Sequence, residues 1–218
     1  MINNPPSLDP ADLGTLKGLF RSAFRKFIQN TDGMLPAEVV SFDRANNMVS
    51  VIPLITVLTT DGRQQPRARI AEIPVFQIGG GGFILNFNLK PGDLGWIIAN
   101  DRDMSLFQNT FKQAKPNTIR IKDFADSVFY PHTMKGYDID DEDSENVVLQ
   151  SNDGTVKISL GKEKIKIKAP IVEVDAGAVT VDAESVTIAS VGTVVVAGPL
   201  FRVLGNINAS GSITPNVP

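Results

Sequence analysis

Cysteine is absent from the 218 residues, so neither a disulfide framework nor a thiolate metal site is available. Histidine occurs once, at His132, which removes most chemistry built on imidazole. Aromatics make up 7% of the chain and sit mainly before residue 138. No apolar run approaches the roughly 20 residues that cross a bilayer as a helix. Nor is there an excess of positive charge. The formal net charge of −3 gives no electrostatic reason to expect nucleic acid as a partner. Met1–Pro6 is polar and Pro-rich and does not read as a secretory signal, so synthesis in the cytoplasm is expected.

What is present changes character along the chain, and four segments are expected: 1–34, 35–108, 109–145 and 146–218. In the first, Asp9 and Pro10 suit the N-cap and first position of a helix. Leu13, Leu16, Phe20, Phe24, Phe27 and Ile28 recur three or four residues apart and make one apolar stripe. Lys17, Arg21, Arg25 and Lys26 decorate the rest, and Asp32-Gly33 ends it. Such a helix can lie on a membrane surface or dock on a neighbouring subunit or its own domain. Cations late in a helix also suit its dipole. Docking on a partner, through Leu13, Leu16, Phe20, Phe24 and Phe27, is therefore the expectation.

From residue 35 the pattern becomes that of strands: Ala37 to Phe42, Met48 to Leu58, Ile70 to Ile78, Phe83 to Leu89 and Leu94 to Ala99. Turn signals separate them, at Asp43 to Asn47, Asp61-Gly62, Gly79 to Gly82 and Pro91-Gly92-Asp93. Short strands at this spacing predict a small closed or part-open barrel, OB-like in size. The glycine run lies between strands and not before a helix, so a flexible loop is preferred to a phosphate cradle. Residues 101–145 read as irregular and end in the acidic run Asp138, Asp140, Asp141, Glu142, Asp143 and Glu145. Runs of this kind are usually solvated linkers. This one lacks the sixth-position glycine and twelfth-position glutamate of an EF-hand loop.

The last third carries a repeat. Val172/Val174, Val179/Val181 and Val186/Ile188 are pairs two residues apart, recurring every seven residues. Thr193/Val195 continue the phase, Val156/Ile158 and Ile165/Ile167 precede it, and Val203, Ile207 and Ile213 follow irregularly. A coiled coil would space apolar residues three then four. Spacing of two then five puts both members on one face of a strand, and Val, Ile and Thr are strand formers. Small polar groups between the pairs suit corners.

Burying each Val or Ile is worth about 1.5–3 kcal/mol, whereas ordering each residue costs about 1–2 kcal/mol. Two buried side chains per seven residues cannot hold such a strand alone. Two architectures repair this. One is a single-chain β-solenoid with coils of about 20 residues. The other is a β-helix wound from three chains. The repeat holds too few residues for more than three solenoid coils and shows no end cap, which favours the trimer. Its expected core is Val156, Ile158, Ile165, Ile167, Val172, Val174, Val179, Val181, Val186, Ile188, Val195 and Val203. Glu173, Asp175, Asp182 and Glu184 would face solvent, as would Lys162, Lys164, Lys166 and Lys168.

Ala37-Glu38-Val39-Val40-Ser41-Phe42-Asp43 with Val49-Ser50-Val51-Ile52-Pro53, then Ile73-Pro74-Val75, Lys90-Pro91-Gly92-Asp93 and Asn100-Asp101-Arg102-Asp103, occur in that order ahead of the repeat. Over residues 35–218 this layout resembles the central spike, or membrane-piercing, proteins of contractile phage tails. It is also similar to the spikes of type VI secretion machines. The resemblance implies a mainly β homotrimer on the tail axis, a virion component at the baseplate. Its OB-like domain would sit on the hub, and its shaft would be driven through the host outer membrane by sheath contraction. Many such spikes end in a tip where His-x-His motifs hold iron. This chain has no histidine beyond His132, so no metal or other cofactor is carried over, and a separate tip-capping protein is expected. No Gly-x-Ser-x-Gly elbow is present and no length remains for a lysozyme domain, so no enzyme is expected, although sequence leaves carboxylate pairs for glycoside cleavage open. The alternative reading is a receptor- or glycan-binding tail adhesin with a solenoid shaft.

Overall fold

The computed structural model describes residues 14–29, 31–59, 62–134, 136–198, 202–206 and 210. The chain divides into two units, Met1–Ile171 and Val172–Pro218. The first opens with helix α1 (Leu16–Gln29). Thr15 Oγ1 accepts the Gly18 N–H at 3.0 Å, satisfying one of the donors a helix start leaves unpaired. At the other end Thr31 Oγ1 donates to the carbonyls of Phe27 and Ile28, at 3.0 and 2.9 Å. The start expected at Asp9 and Pro10, and Leu13 of the stripe, lie outside the described residues.

Twelve strands follow among the described residues: β1 (Met34–Asp43), β2 (Met48–Pro53), β3 (Val57–Leu58), β4 (Gln64–Gln65), β5 (Ile70–Pro74), β6 (Ile78–Gly80), β7 (Phe83–Leu85), β8 (Leu94–Ala99), β9 (Ser127–Pro131), β10 (Val147–Gln150), β11 (Lys157–Leu160) and β12 (Ile165–Lys168). A short helix, α2 (Ser105–Thr110), lies between β8 and β9. The chain is thus mainly β, as its patterning predicts.

The main sheet has the order β5-β2-β1-β8-β9, with every neighbour antiparallel. Its two outer strands meet through one parallel bridge, Val75 to Phe129, where the Phe76 N–H donates to the Phe129 carbonyl at 2.8 Å. The sheet therefore curls until its edges touch. Alternation decides what fills it: Ala37, Val39, Val49, Val51, Ile73, Ile97 and Phe129 point inward and are buried. Gly95 lies where the wall is tightest, since a Cβ there would stand 2.4 Å from Phe129 Cζ and from the Tyr130 carbonyl. The Pro91-Gly92-Asp93 turn clips onto β1 beside its bulge. There the Gly92 N–H donates to the Val39 carbonyl at 2.9 Å, and the Val39 N–H to the Asp93 carbonyl at 2.8 Å.

Two small hairpins, β3-β4 and β6-β7, interrupt the path. The glycine run forms the second. Gly81 and Gly82 have φ of 60° and 87°, the left-handed pair that a two-residue hairpin turn requires. It is thus a specified turn and not a slack loop. Strand β9 falls within the stretch expected to be irregular, because a five-residue strand ending at Pro131 gives little periodic signal. The expected boundary at 108/109 therefore divides hydrogen-bonded structure.

Strands β10, β11 and β12 form a separate antiparallel meander. It belongs to the first unit, so the compact structure continues past the expected boundary at 145/146. In the second unit no helix or strand is present among the described residues. The expected β-helical shaft is not seen as a ladder among the described residues. A ladder needs a neighbouring strand about 4.8 Å away, and the described residues from 172 onward find none in their own chain.

Candidate assembly surface

The meander has two unlike faces. Residues directly opposite across an antiparallel pair share a face. Register places Val147 opposite Leu160 and Leu160 opposite Ile165, and Leu149 opposite Ile158 and Ile158 opposite Ile167. These six aliphatic side chains make one face. The other face carries Val148, Ser159 and Lys166 in one row and Gln150, Lys157 and Lys168 in the next.

The polar face is the covered one. The Lys157 side chain is only 1% exposed. Its ammonium pairs with Asp140 and Asp143, and Glu142 lies 3.7 Å away. Asp143, also buried, accepts from Ser159 Oγ at 2.5 Å and from Asn146 Nδ2 at 3.1 Å. Asn146 Nδ2 also reaches Ser159 Oγ at 3.0 Å. Lys166 pairs with Glu142, and Gln150 donates to the Asp138 carbonyl. The acidic segment is therefore laid over the meander's polar face, and neither it nor Lys166 is the freely solvated element expected.

The electrostatics follow from these contacts. Hydrogen bonding to the Lys157 ammonium, then to Ser159, holds the Asp143 carboxyl well below the usual carboxylate range. The hydrogen bond to Lys157 lowers Asp140, and that to Lys166 lowers Glu142. Lys157 is pushed up by Asp140 and then Asp143, against the opposing effect of burial. Asp140, Glu142 and Asp143 approach closely enough to share a metal ion. The Lys157 ammonium already supplies the positive charge among them, so the cluster reads as an ion-pair clamp.

The apolar face is bare. All twelve side chains expected in the shaft core, Val156, Ile158, Ile165, Ile167, Val172, Val174, Val179, Val181, Val186, Ile188, Val195 and Val203, are between 40% and 78% exposed in the single chain. The structure brings Ile158, Ile165 and Ile167 together on one sheet face. Val172 and those after it lie in no strand among the described residues. Val147, Leu149 and Leu160 belong to the same face and were missed by the repeat pattern. Their only signal is the short apolar run Val147-Val148-Leu149 and the alternation in Ile158-Ser159-Leu160. On α1, Leu16, Phe20, Phe24 and Phe27 are likewise exposed.

A second polar cluster lies beside the curled sheet. Arg120 grips the buried Asp126 with Nε at 2.8 Å and Nη2 at 3.1 Å, and reaches Asp103 at 3.4 Å. The Asp103 carboxyl is depressed chiefly by its hydrogen bond to Ser105. These contacts tie the Asn100-Asp101-Arg102-Asp103 stretch to the segment leading into β9. His132 lines a cavity of about 450 Å³ together with Leu89, Asp93, Thr133 and Asn152.

Residues 35–132 match the family model described as the phage protein Gp138 N-terminal domain. The matched span coincides with the curled five-stranded sheet, β1 through β9. By this similarity the chain reads as a phage structural protein. No curated protein matches the chain.

Proposed function

We propose that this chain is the homotrimeric central spike of a contractile phage tail. It attaches to the hub and baseplate through its barrel and pierces the host outer membrane when the sheath contracts. The observation that carries the reading is the bare apolar repeat from Val172 to Val195. It has strand spacing and strand-forming residues but no strand partner among the described residues of its own chain. Two symmetry mates would supply both the missing ladder and the missing core. A single-chain solenoid, the shaft of the alternative adhesin, would bury these side chains within one chain, and they stay exposed.

Two further observations support it. The phage-domain match covers the segment ahead of the repeat. The order of the curled sheet, with its outer strands bridged in parallel, fits a five-stranded, partly open barrel of OB type. The role is mechanical. Threaded chains resist axial load because one cannot unfold without leaving the other two, a kinetic form of stability. The stripe of Leu16, Phe20, Phe24 and Phe27 is assigned to docking on a hub partner. A separate protein caps the tip. The reading assigns no metal or cofactor and no catalytic role to His132.

Light scattering of the purified chain tests the proposal. The expected mass is three times the 23.5 kDa of one chain, and a monomer at micromolar concentration overturns it. Lysis of peptidoglycan by the isolated protein would overturn the non-enzymatic part.

A further inference from the structure

We infer that the apolar face of the β10–β12 meander is a seat for two further copies of this chain, and that the acidic segment 138–146 is what turns that face outward. The inference rests on the trimer reading. It adds Val147, Leu149 and Leu160 to the expected core residues Ile158, Ile165 and Ile167, as one preformed face of the folded first unit.

The meander's polarity is inverted. A sheet with one covered face normally covers its apolar side and leaves the polar side to water. Here Lys157 and Ser159 are buried beneath Asp140, Asp143 and Asn146. Meanwhile Val147, Leu149, Ile158, Leu160, Ile165 and Ile167 stand in the open, from 40% to 71% exposed. The chain cannot cover this face by turning the sheet over. A one-residue slip would exchange the faces and strip Lys157 and Asp143 of each other while both remained charged.

The size and chemistry of the face select its occupant. The face is three four-residue strands, about 13 Å long by about 14 Å wide. That is far smaller than the roughly 800 Å² that each partner contributes to a stable interface, so the seat must be part of a longer contact. The same chain carries further apolar surface in its second unit, an exposed aliphatic pair every seven residues from Val172 to Ile188. A copy of this chain offers the same two elements in the same order. The face also carries no charged side chain, so three copies bring no like charges together when they meet.

The full-length chain tests this directly, because it has no cysteine and a single one can be placed at will. Ile165→Cys, on the apolar face, is expected to give a covalent oligomer with a short bis-maleimide, at a yield unchanged by tenfold dilution. Lys168→Cys, exposed on the opposite face, is expected to give at least tenfold less. Val181→Cys reports the repeat. Cross-linking at 181 without cross-linking at 165, in a protein of trimeric mass, overturns this inference and leaves the trimer reading standing. A monomeric mass for the unmodified chain overturns both. Leu149→Lys with Ile158→Lys is expected to weaken the trimer at least tenfold while amide protection at Lys157 to Leu160 persists. A trimer of unchanged affinity counts against the inference. If that protection is lost the meander itself has melted, and the cross-linking result then decides.

Discussion

Gly95 and Phe129 show how narrow the tolerances of the curled sheet are. Gly95 pairs with Pro131 on β9, and the Phe129 ring occupies the volume that any larger side chain at 95 would need. Gly95→Ala is expected to destabilise the chain by about 1–3 kcal/mol through overpacking. Phe129→Leu in the same chain should recover part of that loss, since the two positions share one space; urea unfolding of the single and double variants measures both. Lys157 and Asp143 show the electrostatic counterpart. Removing one charge leaves the other buried and unpaired, whereas removing both leaves neither. Asp143→Leu or Lys157→Met alone should therefore lose amide protection at Ser159 and Leu160, and the double variant should regain most of it.

The meander is one element whose stability responds to pH. Asp140, Glu142 and Asp143 are held below the ordinary carboxylate range. Their contribution is therefore fully present above the unfolded values of about 4 and is lost as pH falls through the lower folded ones. Lys157 is raised, so its contribution is complete below an unfolded value of about 10.4 and is lost only above it. The NMR signals of Lys157 to Leu160 should hold their folded positions from pH 5 to pH 9, to about the same degree throughout, and collapse only in acid below the ordinary carboxylate range. A midpoint between pH 4 and pH 5 would show that these contacts do not form. The glycine hairpin makes a separate prediction. Gly82→Val places a β-branched residue in the left-handed region, costing about 1–2 kcal/mol. It should loosen β6 and β7 without touching the buried set around Val51 and Ile97, as hydrogen exchange would show.

At the scale of the whole molecule, the patterning of Ala37 to Phe42 and of Met48 to Pro53 was enough to place strands β1 and β2. The pairing of β1 with β8, 60 residues apart by the Met34–Leu94 starts, carries no local signal. Strand β9 was hidden because Val128 and Tyr130 alternate with Phe129 over too short a span to stand out from irregular chain. The clamp was hidden for a different reason. A run of acids announces its sign, but its partner Lys157 sits 14 residues beyond Asp143 and looks like any other lysine in a strand. The two-then-five spacing reads as strand spacing in the sequence, yet among the described residues from 172 onward no strand forms. Thermal unfolding should accordingly depend on protein concentration, with the midpoint rising on concentration as mass action requires for a trimer.

A seven-residue repeat has a weakness that the meander answers. Sliding one chain along another by seven residues still brings Val172/Val174 opposite Val179/Val181, so the repeat alone accepts several alignments with nearly equal satisfaction. The meander has no internal copy of itself: its strands are separated by turns of different length, and Lys157 fits under one set of carboxylates. Three chains that first meet through Leu149, Ile158 and Ile167 would start the repeat in phase. In such a trimer the non-repetitive segment would act as an end-stop, and the alignment of everything after Val172 would be inherited from it.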